Sequence, residues 1–104
     1  MRIAHERPGL VVVLDGRLDV STVADVRLAL HEAVDRGTGE LVIDLTRVEL
    51  TDATGLGVLV GAHRRAGRAG RRVVLQNVPG PISRLLYLTR LDRVLATVSR
   101  LPAA

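Results

Sequence analysis

The sequence contains no cysteine, no lysine, no phenylalanine and no tryptophan. Without cysteine the chain can form no disulfide, no cysteine-ligated zinc site and no thiol nucleophile. A single tyrosine makes aromatics 1% of the 104 residues. The chain therefore lacks the several aromatic side chains on which the common single-stranded nucleic-acid modules stack bases. Its core must be built from Val, Leu, Ile and Ala.

Positive charge is carried by arginine alone. The net charge is +4, and the 15 cationic side chains other than histidine are all Arg. A basic balance is compatible with nucleic acid or with an acidic partner. The first residues form no apolar signal core, and no stretch approaches about 18 uncharged apolar residues. We therefore expect a cytoplasmic protein without a membrane span.

One strongly patterned stretch, residues 51–61, lies between an apolar run and an arginine-rich run. The apolar run at 41–45 predicts a buried strand, and apolar residues at helical spacing follow the stretch. Asp52 is placed to cap that helix, which we expect to begin near Ala53 or Thr54. A helix N-terminus offers unpaired N–H groups and partial positive charge. The loop before this helix is therefore the first candidate for a functional site.

Three glycines, Gly55, Gly57 and Gly61, lie inside the same predicted helix. Each costs about 1 kcal/mol relative to alanine in a helix interior. Close approach of a strand, a partner or a ligand would offset that cost. The alternative to a binding site is purely structural: the glycines would then allow the capped helix to pack tightly on the sheet.

Apolar spacing along the whole chain predicts alternating strands and helices. Strands at 2–6 and 10–14 form a hairpin across Pro8-Gly9. An amphipathic helix follows, with Ser21 or Thr22 as its N-cap, and ends at Gly37 and Gly39. The later expected elements are a strand at 41–45, the helix that ends at Gly70, a strand at 72–77, a short helix at 82–89, a turn at 91–92, a last strand at 94–98 and a flexible tail at 99–104.

The order ββαβαβαβ predicts a single α/β domain over residues 1–104. Its sheet is expected to be mixed and mostly parallel, with about four to five strands and helices packed on it. The near-continuous apolar run at 41–45 suits a strand covered on both faces. The polar segments 15–22 and 50–57 both follow strands, so we expect them to converge at one sheet edge.

Three segments resemble the STAS domain of bacterial anti-sigma factor antagonists, in order and across nearly the whole chain. Gly16-Arg17-Leu18-Asp19 is similar to the family's Gly-Glu-(Leu/Ile)-Asp. Asp52-Ala53-Thr54-Gly55-Leu56-Gly57-Val58 is similar to its Asp-Ser-(Ser/Thr)-Gly-Leu-Gly-Val signature. Arg84-Leu85-Leu86-Tyr87-Leu88-Thr89-Arg90-Leu91 is similar to its Arg-Leu-(Leu/Phe)-x-(Leu/Ile)-(Thr/Ser)-Gly-Leu segment. Each segment alone is weak, but all three at family spacing form a strong signal.

The resemblance implies a STAS-like domain that binds a kinase-type anti-sigma factor and thereby frees a sigma factor. In that family the kinase uses ATP to phosphorylate the Ser directly after the signature Asp, and a phosphatase resets the switch. The implied docking surface consists of seven residues: Asp19, Ser21, Asp52, Ala53, Thr54, Gly55 and Gly57.

The sequence departs from the family pattern at the phosphorylation position. Ala53 stands where the acceptor Ser is expected, and it has no hydroxyl group. Thr54 matches the family's second hydroxyl position, but adjacent residues do not share a helix face. Phosphorylation is therefore either lost or moved to Thr54. A second departure is Arg90, which stands where the family often has Gly.

Other functions compete with this interpretation. A STAS domain without the acceptor Ser can also be an adaptor, or a subunit of a larger assembly such as an ABC lipid transporter. The hypothesis of nucleic-acid binding is based only on the positive charge of the chain, and the sequence contains no recognisable DNA-reading motif. We therefore expect no direct nucleic-acid contact by its candidate residues, Arg64, Arg65, Arg68, Arg71 and Arg72.

An enzyme is the least favoured class. The three histidines are scattered without metal-ligand spacing. The sequence has no nucleophile elbow, phosphate-binding loop or dinucleotide fingerprint. We expect no catalytic residue, no metal site and no cofactor.

Overall fold

The order of the strands and helices follows the order in which strand-like and helix-like apolar spacing alternates along the sequence. The computed structural model describes residues 1–50 and 52–100. A short 3-10 helix, Leu91–Arg93, precedes the last strand. The predicted order ββαβαβαβ is confirmed, with these bounds: β1 Arg2–Arg7, β2 Val11–Leu18, α1 Val23–Arg36, β3 Glu40–Leu50, α2 Ala53–Arg68, β4 Arg72–Gln76, α3 Gly80–Leu88 and β5 Ala96–Val98.

The five strands form one sheet in the order β1-β2-β3-β4-β5. β1 is antiparallel to β2, and the other neighbouring pairs are parallel. The predicted mixed, mostly parallel sheet is therefore confirmed. Each parallel crossover leads to the next strand in the same direction. Right-handed crossovers consequently place all three α-helices on the same face of the sheet.

One core joins the helices to that face. It includes Val12 of β2, Ile43 of β3 and Leu59 of α2, all fully buried. Val42 and Val74 are also buried, at 5% and 2% exposure, but they lie outside this core. Successive strand residues point to opposite faces, so these two valines belong to the other face. The 41–45 strand is therefore buried on both faces, as its apolar run predicts, although the helices pack on only one of them.

The side chain of Arg100 reaches two polar side chains of the second sheet face. Its guanidinium lies 3.5 Å from Gln76 Oε1 and 3.7 Å from Glu40 Oε1. Glu40 and Gln76 lie near opposite ends of the β3–β4 pair, and strand alternation places both on the face of the two buried valines. The guanidinium therefore links these two side chains on that face.

The strands β2 and β3 are longer than the apolar pattern predicts. β2 continues to Leu18 and β3 to Leu50, well beyond the expected ends at residues 14 and 45. The added residues pair with each other after a register shift between Val13 and Asp15. Backbone pairing holds the polar residues of these extensions in strands, and Leu18 and Val48, which alternate with them, are buried in the core. The predicted polar segment 15–22 is consequently shortened to the loop 19–22.

The last strand is shorter than predicted and begins at Ala96. The 3-10 helix occupies the predicted turn at 91–92, and the Leu95 N–H donates to the Leu91 carbonyl at 2.8 Å. After β5, the backbone of Arg100 exchanges hydrogen bonds of 2.7 and 2.8 Å with the Asn77 side chain. The rest of the predicted tail, residues 101–104, lies outside the described residues.

One buried arginine ties together the amino ends of the parallel strands. Arg71 is 6% exposed and precedes β4. Its Nη1 donates at 2.9 Å to the carbonyls of Ala33 and Val34 in the last turn of α1. Its other nitrogens donate to the carbonyls of Gly39 and Gly9. Carbonyls in the last helical turn lack intrahelical partners, so Arg71 satisfies groups that would otherwise be buried without one.

Two of the five arginines considered as candidate nucleic-acid contacts have partners inside the fold. Burial lowers the pKa of Arg71 below its ordinary value, and its side chain is used inside the fold. Arg65 forms a 2.7 Å ion pair with Asp35 on α1, which raises the pKa of Arg65 and lowers that of Asp35. Two of the five proposed phosphate contacts are therefore already occupied by internal partners.

Candidate functional site at the carboxyl ends of β2 and β3

The candidate site lies at the sheet edge where β2 and β3 end. Leu18 and Leu50 are register partners in the last pair of these strands. The loop 19–22 leads from β2 into α1, and Asp52 immediately precedes α2. The carboxyl ends of parallel strands meet at one edge of a sheet. The predicted convergence of the two polar segments is therefore confirmed.

Asp52 caps α2 as predicted. Its backbone is extended, with φ −160° and ψ 177°, and its carboxylate accepts a hydrogen bond of 2.9 Å from the Thr54 N–H. The helix begins at Ala53, also as predicted. Asp52, Ala53 and Thr54 are all exposed. The first turn of α2 therefore presents a capped helix end, with its partial positive charge, to solvent.

The loop 19–22 is organised by short side-chain bonds. The Asp19 carboxylate accepts hydrogen bonds from the Ser21 hydroxyl at 2.6 Å and from the Ser21 N–H at 2.9 Å. These two bonds hold the pKa of Asp19 below its ordinary value of 3.8. Asp19 therefore carries a negative charge at neutral pH.

Thr22 occupies the predicted N-cap position of α1 but makes no capping bond with its side chain. Its hydroxyl donates to the Arg17 carbonyl at 2.9 Å and accepts from the Asp19 N–H at 3.0 Å. The hydroxyl thus fastens the loop to the end of β2. The position of this cap is predicted by the sequence, but its chemistry is not.

The glycines of α2 have two different explanations. A Cβ on Gly55 would lie 3.1 Å from Leu18 Cγ and 3.3 Å from the Leu18 oxygen, and closer still to Leu50 Cδ2. Close approach to β2 and β3 therefore accounts for Gly55. Gly57 is exposed, and a Cβ there would meet no atom within 4 Å in the described part of the chain. Packing within that part does not account for Gly57.

Val20 is a site residue that sequence reasoning missed. It lies between Asp19 and Ser21, and 75% of its surface is exposed. In residues 1–50 and 52–100, no other large apolar side chain is more exposed. The signal was an isolated apolar residue in a polar loop. Apolar spacing cannot separate such a residue from the start of the following helix.

The groups exposed at this edge are able to contact a partner. Within residues 1–50 and 52–100, no three or more His, Asp or Glu side chains gather closely enough to hold a metal ion. Both carboxylates of the edge, Asp19 and Asp52, accept hydrogen bonds from their own loops. What remains for a partner is an exposed helix start, an accessible stretch of backbone at Gly57 and an apolar side chain at Val20. Over the same two ranges, no helix has the length and apolar character needed to cross a membrane.

Comparison with known proteins identifies the family. The family model described as "Mlab, STAS domain" matches residues 1–98. The chain is also 31% identical over 96 residues to the anti-sigma F factor antagonist of Paenibacillus polymyxa, covering 91% of this chain and 82% of that relative. The chain therefore belongs to the STAS family of anti-sigma factor antagonists, as its three motif segments implied.

Solved structures agree with the assignment. An anti-sigma factor antagonist from Mycobacterium paratuberculosis superposes with a TM-score of 0.75 at 27% identity, covering 92% of this chain and 81% of that one. A STAS domain protein from Planctomyces limnophilus gives a TM-score of 0.79 at 21% identity, covering 96% and 90%. The second likeness concerns the fold alone.

Proposed function

We propose that this protein is an anti-sigma factor antagonist that binds a kinase-type anti-sigma factor and so frees a sigma factor. The proposed contact is the sheet edge formed by the loop 19–22 and the start of α2. Its residues are those named from the resemblance, with Val20 added: Asp19, Val20, Ser21, Asp52, Ala53, Thr54, Gly55 and Gly57. Binding, and not catalysis, is the proposed activity.

The open backbone at Gly57 is the observation that carries this proposal. A glycine inside a helix costs about 1 kcal/mol relative to alanine, and no packing in the described part of the chain accounts for it there. Residues three and four apart share a helix face. Gly57 therefore lies one turn from the capped end, as a surface neighbour of Ala53 and of Thr54. A partner that rests on this first turn would approach the backbone most closely at Gly57.

Ala53 determines how such binding could be regulated. It replaces the hydroxyl that the family's kinases phosphorylate, so phosphorylation at this position cannot release the partner. Thr54 is exposed, and its N–H is already bonded to Asp52. A phosphate on Thr54 would add about −1.5 to −2 charges at neutral pH, beside the Asp52 carboxylate. We propose that the protein is a constitutive antagonist, for which a phosphatase would be needed only if Thr54 accepts phosphate.

A second candidate function is an adaptor in a larger assembly, such as an ABC lipid transporter. Ala53 favours this candidate as well, because a permanent subunit needs no phosphorylation switch. The two candidates differ in partner. The antagonist binds an anti-sigma factor that also binds a sigma factor, whereas the adaptor co-purifies with an ATPase subunit.

The test is a titration calorimetry series with kinase-type anti-sigma factors from bacteria that encode this chain. Intact mass is measured after incubation of each mixture with ATP. We expect one anti-sigma factor to form a stable complex, to release its sigma factor, and to leave the mass of this protein unchanged. Failure of every such factor to bind would refute the antagonist function and favour the adaptor.

Two variants separate the forms of regulation. The Ala53→Ser variant restores the missing hydroxyl and should gain one phosphate with the kinase that binds. The Thr54→Ala variant should stay free of phosphate, as the wild type does. A phosphate on the wild-type protein that disappears in Thr54→Ala would overturn the constitutive form and show a switch displaced by one residue.

A further inference from the structure

The single aromatic side chain of the chain lies on the surface. Tyr87, near the end of α3, is 71% exposed. Its neighbour Leu88 is 63% exposed, and Val94, just after the 3-10 helix, is 48% exposed. A chain with no other aromatic would gain most by burying this ring, because large rings remove the most apolar area from water. Its exposure indicates a role outside the core.

Two arginines border these apolar side chains. Arg90 and Arg93 line the same shallow depression as Tyr87 and Leu88, and Asp92 is the only acidic residue among those that line it. The ion pairs formed within residues 1–50 and 52–100 involve Arg17, Arg65 and Arg100. Within that part of the chain, Arg90 and Arg93 therefore carry positive charge that no carboxylate neutralises at contact distance. The patch combines apolar surface with unbalanced positive charge.

Arg90 also adopts a backbone conformation that is unfavourable for an arginine. Its φ is 61°, in the left-handed region, where a non-glycine residue costs about 1–2 kcal/mol. Glycine would adopt this conformation without strain. Strained residues of this kind are concentrated at functional sites. An arginine held here is consistent with a side chain that is needed on the surface.

This patch is distant from the antagonist site. α3 starts at Gly80, after the carboxyl end of β4, and its nine residues extend away from that edge for about 13 Å at the usual helical rise. Tyr87 therefore lies toward the amino end of the sheet. The inference drawn from this patch stands independently of the proposed function.

We propose that the Tyr87 surface, defined as Tyr87, Leu88, Arg90, Arg93 and Val94, docks an acidic protein segment that carries apolar side chains. Tyrosine and arginine are the residue types enriched among the dominant contacts of protein interfaces. Positive charge at the border selects an acidic partner and speeds its association. Leu88 and Val94 favour an apolar anchor over a nucleic acid, since phosphate contacts need neither.

The test is a titration of the ¹⁵N-labelled full chain, followed by NMR, with an amphipathic helical peptide of leucine and glutamate. A peptide with lysine in place of each glutamate is the charge control. We expect saturable shifts centred on the backbone amides of the Tyr87 surface with the acidic peptide only. Tyr87→Ala should weaken the apparent affinity about ten-fold. The matched control, Leu28→Ala on α1, removes an apolar side chain that is 60% exposed and should change nothing.

Arg90→Gly separates docking from folding. It removes both the strain and the charge, so its thermal midpoint should rise while its affinity for the acidic peptide falls. Shifts scattered over the surface, or equal losses in Tyr87→Ala and Leu28→Ala, would overturn the proposal. So would duplex DNA that binds through Arg90 and Arg93 with no loss in Tyr87→Ala, because the surface would then contact nucleic acid.

Discussion

The two ends of the sheet are held in different ways. At the amino end, Arg71 bonds to carbonyl groups that lie 31 to 62 residues away along the chain. At the carboxyl end, the carboxylates of Asp19 and Asp52 accept hydrogen bonds from residues only two positions away. Bonds across long separations fix elements to each other, whereas short ones only shape a loop.

This difference separates stability from recognition. The Arg71 bonds cannot break without loosening α1 from the segments around Gly9 and Gly39. The loops at the other end can meet a partner without disturbing those bonds. Local stability varies within a structure, and binding surfaces are drawn from its less constrained parts. We expect substitutions at the two ends to have different consequences.

The largest expected effect is the loss of the buried guanidinium. Arg71→Met should lower the free energy of unfolding by about 3 kcal/mol or more, because several buried carbonyls lose a charged donor. Urea denaturation followed by circular dichroism measures this loss. Arg71→Lys keeps the charge but offers fewer directed donors, so it should lie between Arg71→Met and the wild type.

The neighbouring arginine provides the control for that experiment. Arg72 is exposed, and Arg72→Met should stay within about 0.5 kcal/mol of the wild type. Equal urea midpoints for Arg71→Met and Arg72→Met would show that the amino end is not held by Arg71.

A smaller effect is expected from filling the close approach at Gly55. The added methyl group of Gly55→Ala meets Leu18 and Leu50, and such overpacking costs about 1–3 kcal/mol. The better helix propensity of alanine returns about 1 kcal/mol, so the net loss should be about 1 kcal/mol. A thermal melt checks it. A melting midpoint at or above that of the wild type would mean that Leu18 and Leu50 move aside to accommodate the methyl group.

The smallest expected effect is a pH dependence at the carboxyl end. The pKa of Asp19 in the fold lies below 3.8, so the unfolded chain binds more protons as the pH falls toward that value. The stabilisation by Asp19 is therefore complete above about pH 4 and is lost as the pH falls through the pKa of the folded state. Urea midpoints measured from about pH 6 to about pH 2.5 should fall less steeply for Asp19→Asn. Ser21→Ala, which removes a donor to Asp19, should flatten the curve in the same way; unchanged slopes in both variants would contradict this assignment.

Most of the fold followed from local patterns in the sequence. Apolar spacing predicted every strand and α-helix, and Asp52 predicted where α2 begins. The extensions of β2 and β3 were missed because polar residues alternate there with the buried Leu18 and Val48, which is a weaker signal than a continuous apolar run. The pairing that holds the polar residues joins segments far apart in sequence. Burial of the 41–45 strand on both faces was predicted. The sequence could not show that the helices pack on one face only, because a buried valine such as Val42 gives the same signal whatever lies over it.

The candidate site was predicted in part. The convergence of the two loops followed from the parallel sheet, but the different environments of Gly55 and Gly57 did not, because no local pattern tells a glycine near a strand from one in open space. Arg71 could not be told from the other arginines of its run, as its partners lie far away in sequence. Tyr87 was noted only as a rare residue, and its exposure depends on how α3 packs.

The most direct test of the account compares two glycines of α2. Gly57 and Gly67 are both exposed, and a Cβ at either would meet no atom within 4 Å in the described part of the chain. Alanine at either position should stabilise the fold, by up to about 1 kcal/mol at Gly57 and less near the helix end. Affinity for the anti-sigma factor is measured for both variants by titration calorimetry. We predict that Gly57→Ala weakens binding about ten-fold by adding a methyl group at the contact, while Gly67→Ala binds as the wild type does. Equal, undiminished binding by both variants would contradict the claim that the start of α2 is the docking surface.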